Sequence, residues 1–318
     1  MKTQFKILVA TDYSEPALNA ERYAIMLAKE THSALIFFHT FEASLSYPHE
    51  FIDLERVDDS PVEFELRKLE QHVEDLLFAM GFTNKDVEYH CMAKRGKLTK
   101  EIFTEATIYN ADFIILGTHE YESKSMQEMF VTSHTWEIIK NAPIPVLSIP
   151  PKASFSGISH MVFATEYRGG EIPVIKFLIA LSEQLNSKLT VLHVTNDIFS
   201  PDFEKVLFNN FWDEAKTRMQ YDKLHFQITH SNNLVDALNG FCIRANSKWL
   251  VMSHEKAPLF AKWLNPLSVT KRMTLHTQIP LFAVPDKYSA GPPLPKKHVK
   301  KSGDIWNDFF VSAGYTKN

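Results

Sequence analysis

Glycine is scarce. The chain has 10 in 318 residues, about 3% where soluble proteins average ~7%. No spacing among the ten yields a P-loop, a dinucleotide fingerprint or the strained elbow of a serine nucleophile, so most glycine-dependent phosphate chemistry is excluded by inventory. Cysteine is rarer still. Cys91 and Cys242 are the two present, too few for a disulfide framework or a cysteine-based zinc site. No apolar run approaches the ~20 residues of a membrane helix, so no integral membrane association is expected. The opening stretch MKTQFKILVATDYSE leads from a short apolar run straight into acidic residues, which is not the pattern of a signal peptide. A formal net charge of -4 argues against a protein built to neutralise nucleic acid or anionic lipid. The expectation is a cytoplasmic protein that does not bind nucleic acid.

What is present is ordinary in kind: 45% hydrophobic and 23% charged residues, enough to bury real cores. The length is about twice that of a typical domain, and the chain repeats. Ala10-Thr11-Asp12 corresponds to Ala164-Thr165-Glu166, and Leu35 with His39 to Leu189 with His193, all 154 apart. Later matches sit closer. Ala111–Leu116 matches Ser247–Met252 at 136, while His119-Glu120, Ser133 and Pro145 match His254-Glu255, Ser268 and Pro280 at 135. Two homologous domains are expected, 1–150 and 155–286, with a tail at 287–318.

Each copy alternates strand and helix. In the first, residues 5–11 read as a strand. Ser14 reads as an N-cap with Pro16 in the first turn, and Ala17, Ala20, Ala24, Leu27 and Ala28 form one apolar stripe. ALIFFH is a second strand, and Ser60-Pro61-Val62-Glu63 reads as a capping box opening a helix that Gly81 stops. DVEYHCM is a third strand, 97–110 a helix, DFIIL a fourth strand, 133–141 a helix and PVLSI a fifth strand. Apolar strands separated by helices imply an α/β fold: two tandem doubly wound domains, each a five-stranded parallel sheet of order 3-2-1-4-5 with helices on both faces. Ligands of such sheets bind beyond the strand carboxyl ends, where the order reverses. That points to Asp12 after strand 1 and Gly117 after strand 4.

The residues at this switch carry a resemblance. VATDYSEPALNAERYAIMLA, FFHTFE, ADFIILGTHE and TSHTWEIIKNAPIPVLSIP together resemble a universal stress protein domain. VFATE, TVLHV, SKWLVMSHE and SVTKRMTLHTQIPLFAVP resemble a diverged second copy. The resemblance implies a stress-response protein that acts by binding, with an adenine nucleotide, ATP or AMP, in the first domain and magnesium accompanying ATP. On the family's pattern Asp12 and Thr40 flank the adenosine. Gly117 is the first glycine of the phosphate loop, with Thr118 beside it, Thr132 stands at the third glycine, and Ser133 keeps the hydroxyl. The second glycine is Glu120, and Thr132 follows it after eleven residues where the family has nine. Bare backbone approaches phosphate without penalty. A glutamate ~4 Å from a phosphate charge costs on the order of 4 kcal/mol at an effective dielectric of ~20. AMP or adenosine on Asp12 and Thr40 survives that cost better than ATP. In the second copy Glu166, Ser253, Glu255 and Leu267 replace these groups and only Ser268 persists, so its site is expected to be lost.

Other features admit two readings each. Gly169-Gly170 beside Arg168 reads as an anion contact or as a permissive loop. Fourteen histidines include no HxxxH or HExxH spacing, so no metal site is expected. His39 and His193 end equivalent strands, which suggests a shared structural hydrogen bond. The acidic loop 41–59 is a lid or a solvated insertion. In the tail, GPPLPKKHVKK precedes Ile305, Trp306, Phe309 and Phe310, which suits a strap over the domains or a partner surface. The fifth strands are exposed edges unless covered, and the resemblance implies that the two domains pair through them. No nucleophile has a base at a telling spacing, so the chain is expected not to be an enzyme. A scaffold with no nucleotide, and a slow magnesium-dependent ATP hydrolase, remain the alternatives.

Overall fold

In the first copy Ile7, Leu8 and Val9 are completely buried, as are Leu35 to Phe38. Successive strand residues face opposite sides, so both faces of these strands are covered, as the apolar runs require. The computed structural model describes residues 5–42, 61–118, 134–167, 171–195, 221–254 and 277–285, together with 206, 209, 211, 273 and 288. It divides into two compact units. The first comprises the described residues up to 115 and the second those of 116–292.

The first unit runs β1 (Lys6–Thr11), α1 (Glu15–Thr31), β2 (Ala34–Phe41), α2 (Pro61–Ala79), β3 (Glu88–Arg95), α3 (Leu98–Ile108) and most of β4 (Phe113–Gly117). All pairings are parallel: β1 lies between β2 and β4, and β3 lies outside β2. Helix α1 begins where Ser14 caps it, its hydroxyl accepting the Ala17 amide. The predicted stripe of Ala17, Ala20, Ala24, Leu27 and Ala28 is its buried face. Helix α2 ends two residues before Gly81, whose φ of 74° lets the Phe82 amide return to the Leu77 carbonyl, a turn that a β-carbon would strain.

The second unit holds α4 (His134–Asn141), β5 (Val146–Ile149), β6 (His160–Ala164), α5 (Ile172–Leu185), β7 (Lys188–Thr195), β8 (Leu224–His230), α6 (Leu234–Arg244), β9 (Trp249–His254) and β10 (Leu281–Pro285). Here β6 is flanked by β7 and β9, with β8 outside β7 and β10 outside β9, again all parallel. Strand β5 runs antiparallel to β10, with Ser148 opposite Leu281. At its end the Thr118 amide, just past β4, donates to the Ile149 carbonyl. The order 3-2-1-4-5 therefore holds in both halves. Val162, Leu192, Leu238, Phe241, Cys242 and Leu250 form a core beneath α6, and Trp249 lies against Phe282 with ring centres 5.1 Å apart.

Candidate functional site

The β1–α1 turn is built from its own side chains. Asp12 Oδ1 accepts the Ser14 amide at 3.0 Å, and Thr11 Oγ1 accepts the Tyr13 amide at 3.2 Å. Between them Tyr13 takes a φ of 62°, a left-handed conformation that is costly for a bulky residue. Packing offsets the strain. Its ring lies 4.6 Å from that of His39 and 5.0 Å from that of His72, with Lys68 Nζ 4.5 Å above it. His39 Nδ1 donates to the Thr11 carbonyl at 2.9 Å, and its Nε2 is 3.9 Å from Glu65. Behind them Glu21, fully buried, meets His72 Nε2 at 2.7 Å. That hydrogen bond raises the His72 pKa above its ordinary value against the opposing effect of burial. Burial, then Glu65 and Glu21, push the Tyr13 phenol up, so it stays protonated. Its hydroxyl is buried with no hydrogen-bond partner among the described residues.

The turn leaves the Asp12 carboxylate exposed. Val9 is opposite Ile115, so the carboxyl ends of β1 and β4 lie side by side, and Asp12 follows directly on the first. Thr40 is half-buried on β2, opposite Lys94 on β3. In the second unit the Gly117 carbonyl accepts the Thr135 hydroxyl at 3.2 Å. Buried Thr118 gives both its amide and its hydroxyl to the Ile149 carbonyl, so its donors are turned toward β5. Thr132 and Ser133 lie outside the described residues, as do Glu120, Arg168, Gly169-Gly170, Ser268, the loop from 43 and the aromatic tail.

The equivalent turn of the second copy keeps the scaffold and changes the occupant. Tyr167 has a φ of 58° and stacks on His193 at 4.1 Å. His193 Nδ1 donates to the Thr165 carbonyl at 2.9 Å, the same bond that His39 makes. The shared histidine hydrogen bond suggested by the repeat is present in both copies. At this turn, however, the side chain of Glu171 folds into the crevice. Its carboxyl accepts the Thr165 hydroxyl at 2.6 Å and the Glu166 amide at 3.2 Å, and Ser253 Oγ is 3.5 Å away. Glu171 is 4% exposed. Since Glu166 and Ser253 stand where Asp12 and Gly117 do, a side chain of the protein occupies the switch point of β6 and β9.

Sequence reasoning missed Glu171 and the Glu21–His72 pair. A lone glutamate after two glycines carries no periodic signal, and Glu21 and His72 are 51 residues apart. Burial pushes the thiols of Cys91 and Cys242 up to about 12, which makes them poor nucleophiles. Among the described residues no group of three or more His, Cys, Asp or Glu side chains is arranged to hold a metal ion. At the first turn the exposed Asp12 carboxylate is a hydrogen-bond acceptor facing solvent.

Comparison with known proteins agrees with this architecture. A family model described as the Universal stress protein family matches residues 5–150. A universal stress protein from Archaeoglobus fulgidus DSM 4304 is 15% identical and superposes with a TM-score of 0.63 over 88% of this chain and 98% of its own. A functionally unknown protein from Pseudomonas aeruginosa PAO1 is 14% identical, with a TM-score of 0.53 over 99% of both chains. No curated protein matches the chain in sequence. Residues 5–150 are thus a domain of the universal stress protein family, followed by a second half built on the same strand order.

Proposed function

We propose that the chain is a non-enzymatic stress-response protein of the cytoplasm that acts by binding, with one adenine-nucleotide site in its first copy. The ligand lies beyond the carboxyl ends of β1 and β4. Asp12 takes the ribose hydroxyls, Thr40 lies beside the adenine, and the stretch Gly117, Thr118, Thr132 and Ser133 meets the phosphate. AMP is preferred, and ATP brings magnesium. The copies are taken as 1–150 and 155–286, joined through their fifth strands. That pairing is supported by the antiparallel register of β5 with β10. No helix among the described residues is long and apolar enough to cross a membrane.

One observation carries the reading. The first switch point presents an exposed acidic side chain, whereas the second is filled by Glu171. Two otherwise similar turns differ at the place where sheets of this order take their ligands. The test is calorimetric titration of the full chain with ATP and with AMP, each with and without magnesium. The expected result is one site per chain with micromolar affinity for AMP, about -8 kcal/mol, weakened at least tenfold in Asp12→Ala. No heat in any of the four titrations, with no nucleotide copurified, overturns the nucleotide site and leaves a scaffold. Magnesium-dependent release of ADP that disappears in Asp12→Ala overturns the non-enzymatic reading instead.

A further inference from the structure

A second place in the molecule has the makings of a site, away from the strand carboxyl ends and wholly within the second unit. A groove of about 310 Å³ opens between α6 and strands β6, β7 and β8, lined by His160, Lys188, Thr190, Gln227, Thr229, Phe241, Arg244 and Ala245. Its volume is at the lower end of the range of small-molecule sites.

The first copy shows how it arose. Strand registers align the two copies: Leu35 is opposite Tyr89 as Leu189 is opposite Leu224. The same region of the first copy is filled. Tyr109, 7% exposed, sits where the second copy has Ala245, and its hydroxyl is 3.3 Å from His90. Buried Ala34 and Ile36 stand for Lys188 and Thr190, and Lys94 is neutralised by Glu105 at 2.9 Å. Thr229 and Phe241 stand in their places. A tyrosine has become alanine, and a cation with its carboxylate has become a threonine and a phenylalanine. The space so vacated is faced by two new cations.

Nothing described neutralises them. No carboxylate lines the groove, and among the described residues neither Lys188 nor Arg244 makes an ion pair. Gly240, in the interior of α6 where the first copy has Thr104, also fits this picture. Glycine is a poor choice inside a helix. A β-carbon there, however, would stand 3.2 Å from the Arg244 guanidinium one turn later, so its absence gives Arg244 room to fold back. At the base, His160 Nδ1 donates to the Ala245 carbonyl at 3.1 Å and Nε2 meets the Thr190 hydroxyl at 2.9 Å. Both side chains are more than nine-tenths buried.

We propose that this groove binds a small ligand through an oxyanion, a phosphate or a carboxylate, held between Lys188 and Arg244 with Gln227 and Thr229 as neutral hydrogen-bond donors. Charge-assisted bonds from two cations are the strong ones for such a group. Burial, with Lys188 and His225 nearby, holds the His160 pKa below its ordinary value, so the neutral ring accepts the Thr190 hydroxyl proton. A bound anion favours the imidazolium. Its Nε2–H then donates to Thr190, freeing that hydroxyl to turn toward the ligand.

The test is NMR of the labelled full chain, titrated with inorganic phosphate and separately with citrate, ionic strength being held with sodium chloride. Saturable shifts are expected at the His160 ring and at Thr229 and Ala245, with the His160 titration moving upward. Saturation by phosphate or by citrate assigns the group. In the double variant Lys188→Gln/Arg244→Gln the apparent affinity falls at least tenfold. Ala245→Tyr, which restores the residue of the first copy, gives the same loss with an unchanged melting temperature. Linear, unsaturating shifts with both anions overturn the proposal. So does equal affinity in the double variant, or saturation confined to residues near Asp12, which belongs to the other site.

Discussion

The turn after β1 and the turn after β6 share a tyrosine in the left-handed region, its ring on the histidine two residues before the end of the next strand, and that histidine bonded to the carbonyl of a threonine. They differ in what fills the crevice: an exposed aspartate in one, a buried glutamate in the other. The clasp is thus a folding device, indifferent to whether the crevice is open. It positions the turn by paired strain and stacking, which a diverging copy retains because loss of either half leaves a strained backbone with nothing to offset it. The occupant is free to change, and there the copies part.

The sharpest way to break the comparison is through the buried pair behind the first clasp. His72→Ala leaves the fully buried Glu21 carboxyl without its 2.7 Å partner, and Glu21 Oε1 already lacks one. Breaking one side of a buried pair costs several kcal/mol. Because His72 is partly exposed, a loss of about 2–4 kcal/mol is expected, read as a lower urea midpoint. Replacing both with Leu should recover most of it. A loss below 0.5 kcal/mol, roughly the scale of an ordinary surface substitution, would show that Glu21 is stably housed without His72.

The next effect belongs to the second copy. Glu171→Ala removes the acceptor of the Thr165 hydroxyl and the Glu166 amide. Leaving such donors unsatisfied costs about 1–3 kcal/mol, and hydrogen exchange at the Glu166 amide should accelerate. Unchanged exchange would mean that the carboxyl is a bystander and that the second crevice is closed by something else.

Acidity separates the copies in opposite directions. The folded pKa of His72 is raised, chiefly by its bond to Glu21. The stability it contributes is therefore complete below the unfolded value of about 6.5 and is lost as pH rises through the higher folded value. His160 is lowered, chiefly by burial. The unfolded chain takes up its proton first, so stability is intact above about 6.5 and falls as pH drops toward the folded value. Ring titrations by NMR, with Asp75 and Lys68 near one histidine and Lys188 and His225 near the other, should place the two midpoints on either side of 6.5. Coincident midpoints would remove the contrast.

Most of the architecture was legible because it rests on local patterns. The apolar stripe of α1, the Ser14 cap, the turn at Gly81 and the strand order at Val9 and Ile115 follow from spacing and backbone preference. The repeat doubled each signal. Of the candidate site, what was legible is position alone, as with Asp12 directly after the end of β1. Glu171 was not, because a carboxyl that folds back on its own turn leaves no pattern. The groove of the second unit was not, because it is an absence, an alanine where a tyrosine stood, visible only when the copies are set side by side.

The smallest effect is the most local. Helix α1 is capped by Ser14, whose hydroxyl is 3.4 Å from the Ala17 amide, with Glu15 in the first turn. Helix α5 has Glu171 at the cap position and no side-chain cap bond. Ser14→Ala should cost about 0.5–1 kcal/mol, the lower part of the range because the bond is long, and it should be seen as a small drop in the melting temperature. The contrast with α5 gives that small number its meaning. In the first copy the cap residue serves the helix, and Asp12 beside it is exposed. In the second, Glu171 at the start of α5 makes no cap bond and gives its carboxyl to Thr165 and Glu166; by the repeat offset it corresponds to Ala17 rather than to Ser14. If Ser14→Ala costs nothing, Pro16 and Glu15 hold the helix start without the cap.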